Sequence, residues 1–304
     1  MRFTIITSAY CGSGFLMRAF NSLLDQKGDH EFEWIIVDDY SDDEGKTKAV
    51  IEEIKLVAPF SVTAIYLDQN YYGSRSTFIA SSVAKGEYGI ILDQDDMLKP
   101  NALSIFSRYI ESYGSRVEFA GVCARCEDLA GEFIGTRLKE KEYYSNELIV
   151  RHHDKVKGEM FQCTRIALLS QYFKDMRPGY TNGWAWNKIS QSYKYLYVDE
   201  VVRVYDTKNQ DSYTNALRRT RKLRHIDARY EQLIVNVSDN IFYLKMNRVE
   251  LIESIGSIIR FGLHLGVPLF RTAKRLPPCV FFYVAILYPI SFLKFVNDIR
   301  TKRV

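Results

Sequence analysis

A run of apolar residues that stops at a cluster of acids constrains this chain more than any other feature. Tyr88-Gly89-Ile90-Ile91-Leu92 has the length and branching of a buried strand, and Asp93-Gln94-Asp95-Asp96 follows directly. Strands covered on both faces read as continuous apolar runs. In open α/β sheets, ligands sit beyond the carboxyl ends of such strands. The run therefore predicts a rigid strand that delivers three carboxylates to a ligand edge. Clustered carboxylates repel one another unless a cation lies among them. Hard oxygen ligands suit Mg²⁺ or Mn²⁺, held partly through substrate phosphates. Alone, the same residues also read as a solvated turn, because Asp is common in turns; the flanking chain decides between the two.

That chain alternates strand and helix. Phe3–Thr7 is a strand pattern, followed by Gly12-Ser13-Gly14 and a helix with Phe15, Leu16, Ala19, Phe20, Leu23 and Leu24 at helical spacing. The glycines do not complete a dinucleotide fingerprint and read as a turn. Phe32–Val37 is a second strand, ending in Asp38-Asp39; Val50, Ile51 and Ile54 mark the next helix, and Thr63–Leu67 a third strand. Arg75–Ala84 is helical and stops at Lys85-Gly86. Such alternation predicts an α/β fold built on a doubly wound, mostly parallel sheet with helices on both faces. Beyond the acids, a helix runs from Pro100 to about Ser112, Val117–Ala124 is a strand, Trp184–Ser192 a short helix, and Tyr195–Val198 and Val201–Tyr205 two strands. His152-His153 offers no joint metal site, since neighbouring strand residues point to opposite faces.

With 304 residues, the chain holds one large domain with appendages or two domains. Five cysteines, an odd number, argue against a disulfide framework and for a reducing compartment. Cys123 and Cys126 form a lone C-x-x-C inside a strand pattern and read as core. The start, Met1 to Ile6, does not have the form of a signal peptide, which points to a cytoplasmic protein.

The net charge of +4 conceals an asymmetry. Residues 201–304 carry 18 Lys and Arg against 8 Asp and Glu, a surplus of +10, and the remainder is at −6. A basic tail suits nucleic acid or an anionic membrane surface. Arg218, Arg219, Arg221, Lys222 and Arg224 form one basic run. Further on, Cys279–Leu293 is apolar and aromatic, broken by Pro289 and flanked by Lys274, Arg275, Lys294 and Arg300. It is shorter than the ~20 residues a spanning helix needs. This pattern describes an interfacial segment, with a helix packed on its own core as the alternative. The partner expected of the tail is therefore an anionic membrane and not nucleic acid.

The pieces together resemble the family 2 glycosyltransferases, nucleotide-sugar enzymes of the GT-A fold. Ile5-Ile6-Thr7-Ser8-Ala9-Tyr10 resembles the family's first strand, and Ile35-Ile36-Val37-Asp38-Asp39-Tyr40-Ser41-Asp42 its second. Asn70 to Gly73 and Ala84-Lys85-Gly86-Glu87-Tyr88 are similar to the segment before the metal motif, and Leu92-Asp93-Gln94-Asp95-Asp96 to the motif itself. The resemblance covers roughly the first 110 residues. It implies a metal-dependent glycosyltransferase moving a sugar from a UDP donor to a glycan or lipid-linked acceptor in surface polysaccharide synthesis. The location implied is the inner face of the cell membrane. A sugar-nucleotide-binding scaffold of the same fold, without catalysis, is the alternative reading.

Roles follow from the resemblance. Thr7 and Tyr10 line the nucleoside pocket, Asp38 or Asp39 accepts from the base, Arg75 assists as a cation and Asp93 reaches the ribose. Asp95, with Asp96 beside it, holds Mg²⁺ or Mn²⁺ at the diphosphate. The family's acidic pair before a Trp falls on Thr181-Asn182-Gly183-Trp184-Ala185-Trp186, which puts Asn182 at the base position. An amide takes no proton from an attacking hydroxyl, so Glu159, Asp154 and Asp175 become the candidate bases. The expected organisation is a nucleotide-sugar-binding half over 1–112, an acceptor-binding half over 113–210 and a helical, basic region with the membrane-associating segment over 211–304.

Overall fold

The computed structural model describes residues 2–206 and 225–301. The basic run at 218–224 lies outside them. The described chain forms two compact units: residues 2–147, 156–176 and 188–206 make the first, and 148–155, 177–187 and 225–301 the second.

The first unit is organised by β1 (Phe3–Ala9), with α1 (Leu16–Leu24), β2 (Phe32–Asp38), α2 (Lys46–Val57), β3 (Ser61–Tyr66), α3 (Ser76–Val83) and β4 (Tyr88–Ile91) following in alternation. β1 pairs in parallel with β2 and β4, and β2 with β3. Continuous apolar sequence is what this placement demands: Ile5, Trp34, Ile36 and Ile90 are all buried. Phe20 stacks on Trp34 at 6.3 Å between ring centres, joining α1 to β2. The stop signal at Lys85-Gly86 has a tertiary cause. The buried Glu33 carboxylate accepts from Lys85 N and Thr4 Oγ1, while Gly86 N donates to Thr4 Oγ1. A Cβ on Gly86 would lie 2.7 Å from the Thr4 backbone.

Next come β5 (Met97–Leu98), α4 (Ala102–Tyr113), β6 (Phe119–Asp128), β7 (Glu142–Ser145), β8 (Met160–Arg165), α5 (Ile166–Phe173), α6 (Gly183–Ser190, of which only 188–190 belong to this unit) and β9 (Lys194–Tyr205). The described strands form one sheet of order β3-β2-β1-β4-β8-β6-β9-β5, with β7 on β9. β8 runs antiparallel between β4 and β6. The expected α/β architecture with its mostly parallel first half holds. Where two strands were expected near the end of this unit, one twelve-residue β9 runs through Asp199-Glu200. The acids tolerate the strand because each finds a cation: Asp199 faces Arg137 at 3.2 Å and Glu200 meets Arg108 at 2.7 Å. Cys123 and Cys126 are buried in β6 and form no disulfide.

The second unit packs α7 (Ile226–Leu244), α8 (Arg248–His264), α9 (Leu269–Lys274) and α10 (Phe281–Arg300) around Tyr230, Ile234, Val237, Leu251, Ile255, Ile258 and Val284. Asn247 caps α8 by accepting from Glu250 N. Pro289 was expected to break the apolar segment, yet α10 continues through it for twenty residues. Proline removes one amide and leaves the carbonyl four residues earlier without a donor. That residue, Ala285, is exposed, as is Pro289, so water can serve the carbonyl. Val284, Ser291 and Asp298, seven residues apart, form the buried face. Asp298 accepts from Arg260 through both oxygens at 2.5 Å and lies 3.0 Å from His264 Nε2. His152 is buried in a π-helical turn (Ile149–His153), 3.2 Å from Glu250 Oε2, while His153 is exposed.

Candidate active site

The parallel strands end together: Ala9 pairs with Asp38, Asp38 with Tyr66, and Ile6 with Ile91. Leu92 N still donates to Ile6 O, so the acids begin at the first residue released by the sheet. The loop they occupy is tied to the end of β1. Gln94 Oε1 accepts from Tyr10 N at 2.9 Å and Gln94 Nε2 donates to Tyr10 O at 3.1 Å. Gly12 makes room for this amide, since a Cβ there would lie 2.2 Å from Gln94 Oε1.

The residues around this edge divide by how their polar atoms are used. Thr7 is buried and accepts from Trp34 Nε1. Asp38 Oδ1 accepts from both Ser41 N and Ser41 Oγ. Asp39 is buried, and its two oxygens accept from Tyr71 N at 2.8 Å and Gly73 N at 2.6 Å. Burial pushes the Asp39 carboxyl up, against the pull of these two amides. The turn so held has positive φ at Tyr72 and Gly73. It presents Tyr71 with Arg75 stacked over its ring at 4.8 Å. Tyr10 is exposed at the same edge.

The acids converge on an arginine that sequence reading had passed over. Arg203, buried on β9, places Nη1 3.2 Å from Asp96 Oδ2 and 4.0 Å from Asp93 Oδ2, and Nη2 3.4 Å from Glu159 Oε2. The rings of Phe161 and Tyr205 each lie 4.8 Å from its guanidinium carbon. Burial works against the charge of Arg203, but the acidic groups around it outweigh that and hold it protonated. Asp96 is wholly buried and also accepts from Asp206 N at 3.0 Å. Arg18 bridges Asp95 O and Asp206 Oδ2. Asp93 keeps 55% of its side chain open to solvent. The atoms packed around it still push its carboxyl up to about 6, with Arg203 opposing the rise. The visible sign of Arg203 in the sequence was a lone charge within Val201-Val202-Arg203-Val204-Tyr205.

Of the four candidate base positions, only Glu159 belongs to this cluster among the described contacts. Asp175 is exposed just after α5. Asp154 belongs to the second unit and pairs with His153 at 2.8 Å. Asn182, also of the second unit, is exposed, and its carbonyl accepts from Trp186 N. Among the described residues, no group of three or more His, Cys, Asp or Glu side chains is arranged to hold a metal ion. Asp96 is committed to Arg203 and to an amide. The carboxylates of Asp93 and Asp95 therefore fit an ion that completes its shell with phosphate oxygens and water, as Mg²⁺ usually does. They do not fit a cage made by protein alone.

Residues 4–172 match Glycosyl transferase family 2, more than half of the chain. An uncharacterized glycosyltransferase of Mycoplasma genitalium is 30% identical over 114 residues, 36% of this chain and 38% of that protein. TuaG of Bacillus subtilis, a glycosyltransferase named for teichuronic acid biosynthesis, is 25% identical over 165 residues, 54% of this chain and 61% of that one. The matched regions thus span less than two thirds of these relatives. Among solved structures, TarS 1-349 of S. aureus in complex with UDP superposes with a TM-score of 0.59 at 18% identity, covering 99% of this chain and 92% of that chain. The mannosyltransferase PcManGT of Pyrobaculum calidifontis, in complex with GDP-Man and Mn²⁺, gives 0.58 at 14% identity, with 99% and 83% covered. The fold is shared with both, and by its matched sequence the chain belongs to glycosyl transferase family 2.

Proposed function

We propose that this chain transfers a sugar from a nucleoside diphosphate, UDP being the expected carrier, to a hydroxyl of a glycan or lipid-linked acceptor in surface polysaccharide synthesis. The observation that carries the reading is the acid edge beyond β4, fixed by Arg203 beneath and by the Gln94 clamp to Tyr10 beside it. The structures of TarS with UDP and with UDP-GlcNAc support a uridine donor. In this reading residues 1–112 bind the donor, 113–210 the acceptor and 211–304 the membrane. Tyr10, Tyr71 and Arg75 line the nucleoside, and Asp39 shapes their turn. Asp93 and Asp95 would hold Mg²⁺ or Mn²⁺, which would supply positive charge to offset what builds on the leaving diphosphate. Glu159 takes the proton of the attacking hydroxyl as the new bond forms, and Arg203 keeps that carboxylate beside Asp93.

Turnover across a panel of UDP- and GDP-sugars, with Mn²⁺ or with chelator, tests the reading. Release of UDP that requires both metal and acceptor is expected. Nucleotide binding without turnover of any donor would instead favour the scaffold reading.

The tail supports a peripheral place on an anionic membrane. Pro278–Arg300 contains an eighteen-residue stretch with a mean hydropathy of 2.0, 17% of it buried, and is long and apolar enough to cross a membrane by length and composition. Its exposed stripe of Phe282, Ile286, Ile290 and Leu293 lies opposite the face docked on α8. A helix held along its length by Asp298 and Val284 suits an interfacial position better than a span. Phe282→Glu with Ile286→Glu is expected to abolish flotation with anionic vesicles and leave folding intact. Unchanged flotation would remove the helix from the membrane reading.

A further inference from the structure

We propose that the segment 128–138 is a positioning element for the carboxylate of Glu159, acting through a contact between two glycines, Gly135 and Gly158. This role rests on the reading that Glu159 takes the proton of the attacking hydroxyl, and adds to it what holds that residue in place. Glu159 lies just before β8, with 49% of its side chain open to solvent. Arg203 meets one of its oxygens at 3.4 Å. A single long ion pair holds a half-exposed carboxylate only weakly. The main chain on both sides of Glu159 is fixed instead. On one side Met160 pairs with Arg125 of β6. On the other, Lys157 O accepts from Thr136 N at 3.0 Å, and Lys157 N donates to Thr136 Oγ1 at 3.3 Å. Between these anchors Gly158 and Gly135 meet backbone to backbone. Both have positive φ, 88° and 95°. A Cβ on Gly158 would lie 2.4 Å from Gly135 Cα, and one on Gly135 would lie 2.2 Å from Lys157 O. Only glycine supplies both the conformation and the clearance. The segment 128–138 is in turn bound to the sheet. Phe133 bridges Glu127, and Ile134 N donates to Cys126 O at 3.0 Å. The buried Arg125 guanidinium donates to Thr136 O and lies 5.1 Å from the Phe133 ring. Leu138 N donates to Asp199 Oδ1 of β9 at 3.2 Å. Glu159 is thus set by contacts that start in β6 and in β9, the strand that carries Arg203.

The test reads UDP release from the panel of UDP-sugars with octyl glycosides as acceptors. In this transfer the acceptor oxygen replaces the diphosphate at the anomeric carbon, and the proton of its hydroxyl passes to Glu159. Displacing a reacting group by about 1 Å costs on the order of 10²-fold in rate. Gly158→Ala is therefore expected to lower kcat by roughly tenfold or more, while UDP affinity measured by calorimetry stays at the native value. In a Glu159→Gln background, Gly158→Ala should leave kcat unchanged within about twofold, because Gly158 acts only through that carboxylate. A general loss of structure would instead weaken UDP binding and lower kcat in both backgrounds. Circular dichroism and melting check folding. If Gly158→Ala does not fold, Thr136→Val takes its place, since it removes only the hydroxyl that faces Lys157 N. Its expected loss is about threefold in the native background and none with Glu159→Gln. Native kcat in the folded variant, or equal losses in both backgrounds, overturns the positioning role and leaves Glu159 as the base. Native kcat of Glu159→Gln alone overturns the reading of Glu159 and the positioning role with it. UDP binding without turnover of any donor and acceptor pair favours the scaffold reading and removes the positioning role as well.

Discussion

Replacing Asp39 by asparagine separates two roles that a buried acid at the nucleotide edge could play. In the structure both oxygens are engaged by the chain's own amides, Tyr71 N at 2.8 Å and Gly73 N at 2.6 Å. Asn keeps one acceptor and sets an NH₂ against the other amide. A hydrogen bond to a charged group contributes ~1.5–3 kcal/mol and a neutral one ~0.5–1.5 kcal/mol. Exchanging two of the first for one of the second removes roughly 2–4 kcal/mol. Burial raises the Asp39 pKa, so the ionised form is held at a net cost, and relief of that charge offsets part of this loss. A local loss of about 1–3 kcal/mol is expected, the cost of leaving one buried amide without its acceptor. Hydrogen exchange at the amides of 71–73 should accelerate by roughly 5- to 150-fold, since 1.4 kcal/mol is a factor of ten. The sign with pH is also set. A carboxyl whose folded pKa lies above the ordinary 3.8 makes the native protein lose stability as pH rises through that interval, and Asp39→Asn lacks this component. Unchanged exchange at 71–73 combined with lost UDP binding would refute the reasoning and return Asp39 to direct contact with the base.

Glu159→Gln is expected to lower turnover at saturating donor by roughly 10²–10⁴-fold, with Asp154→Asn, Asp175→Asn and Asn182→Ala near the native rate; a loss of that size in any of the other three displaces Glu159 as the base. Gly121→Ala should prevent folding or lower the melting temperature sharply, because its Cβ would lie 1.9 Å from Cys163 O between two paired strands; a native melting temperature contradicts this. Asp298→Asn should cost the second unit about 3 kcal/mol by leaving Arg260 and His264 without their shared carboxylate. Burial raises the Asp298 pKa, but the hydrogen bonds from Arg260 and His264 outweigh it and lower the value. Stability from this group is therefore full above 3.8 and lost as pH falls through the depressed pKa, an acid-side slope in thermal melts that Asp298→Asn should lack.

The first half of the fold was legible because parallel strands covered on both faces need unbroken apolar sequence. Ile5, Ile36 and Ile90 announce their strands without any tertiary knowledge. β9 was not legible as one strand, because Asp199-Glu200 has the composition of a turn and is made tolerable by Arg125 and Arg137 beside Asp199 and by Arg108 beside Glu200, all distant in sequence. The same holds for α10. Proline argued for a break, and only the exposure of Ala285 and Pro289 shows that the lost hydrogen bond faces outward. Local propensity yields wherever a distant partner or water absorbs its cost.

The acids at the strand ends illustrate why positions can be read from sequence when uses cannot. Period and register place Asp38, Asp39, Asp93, Asp95 and Asp96 at one edge, and the structure has them there. What each carboxylate does depends on partners 3 to 110 residues away: Ser41 for Asp38, Tyr71 and Gly73 for Asp39, Arg203 and Asp206 for Asp96. Three of the five acids are thus consumed in holding the edge together. Asp93, though 4.0 Å from Arg203, keeps 55% of its side chain open to solvent, and Asp95 is half-buried; these are the outer two. Such a division is what a ligand edge requires physically. A site whose every acid faced the ligand would repel itself apart in the ligand's absence. Amides, a serine hydroxyl and one arginine, spent on the inner acids, keep the outer two in place.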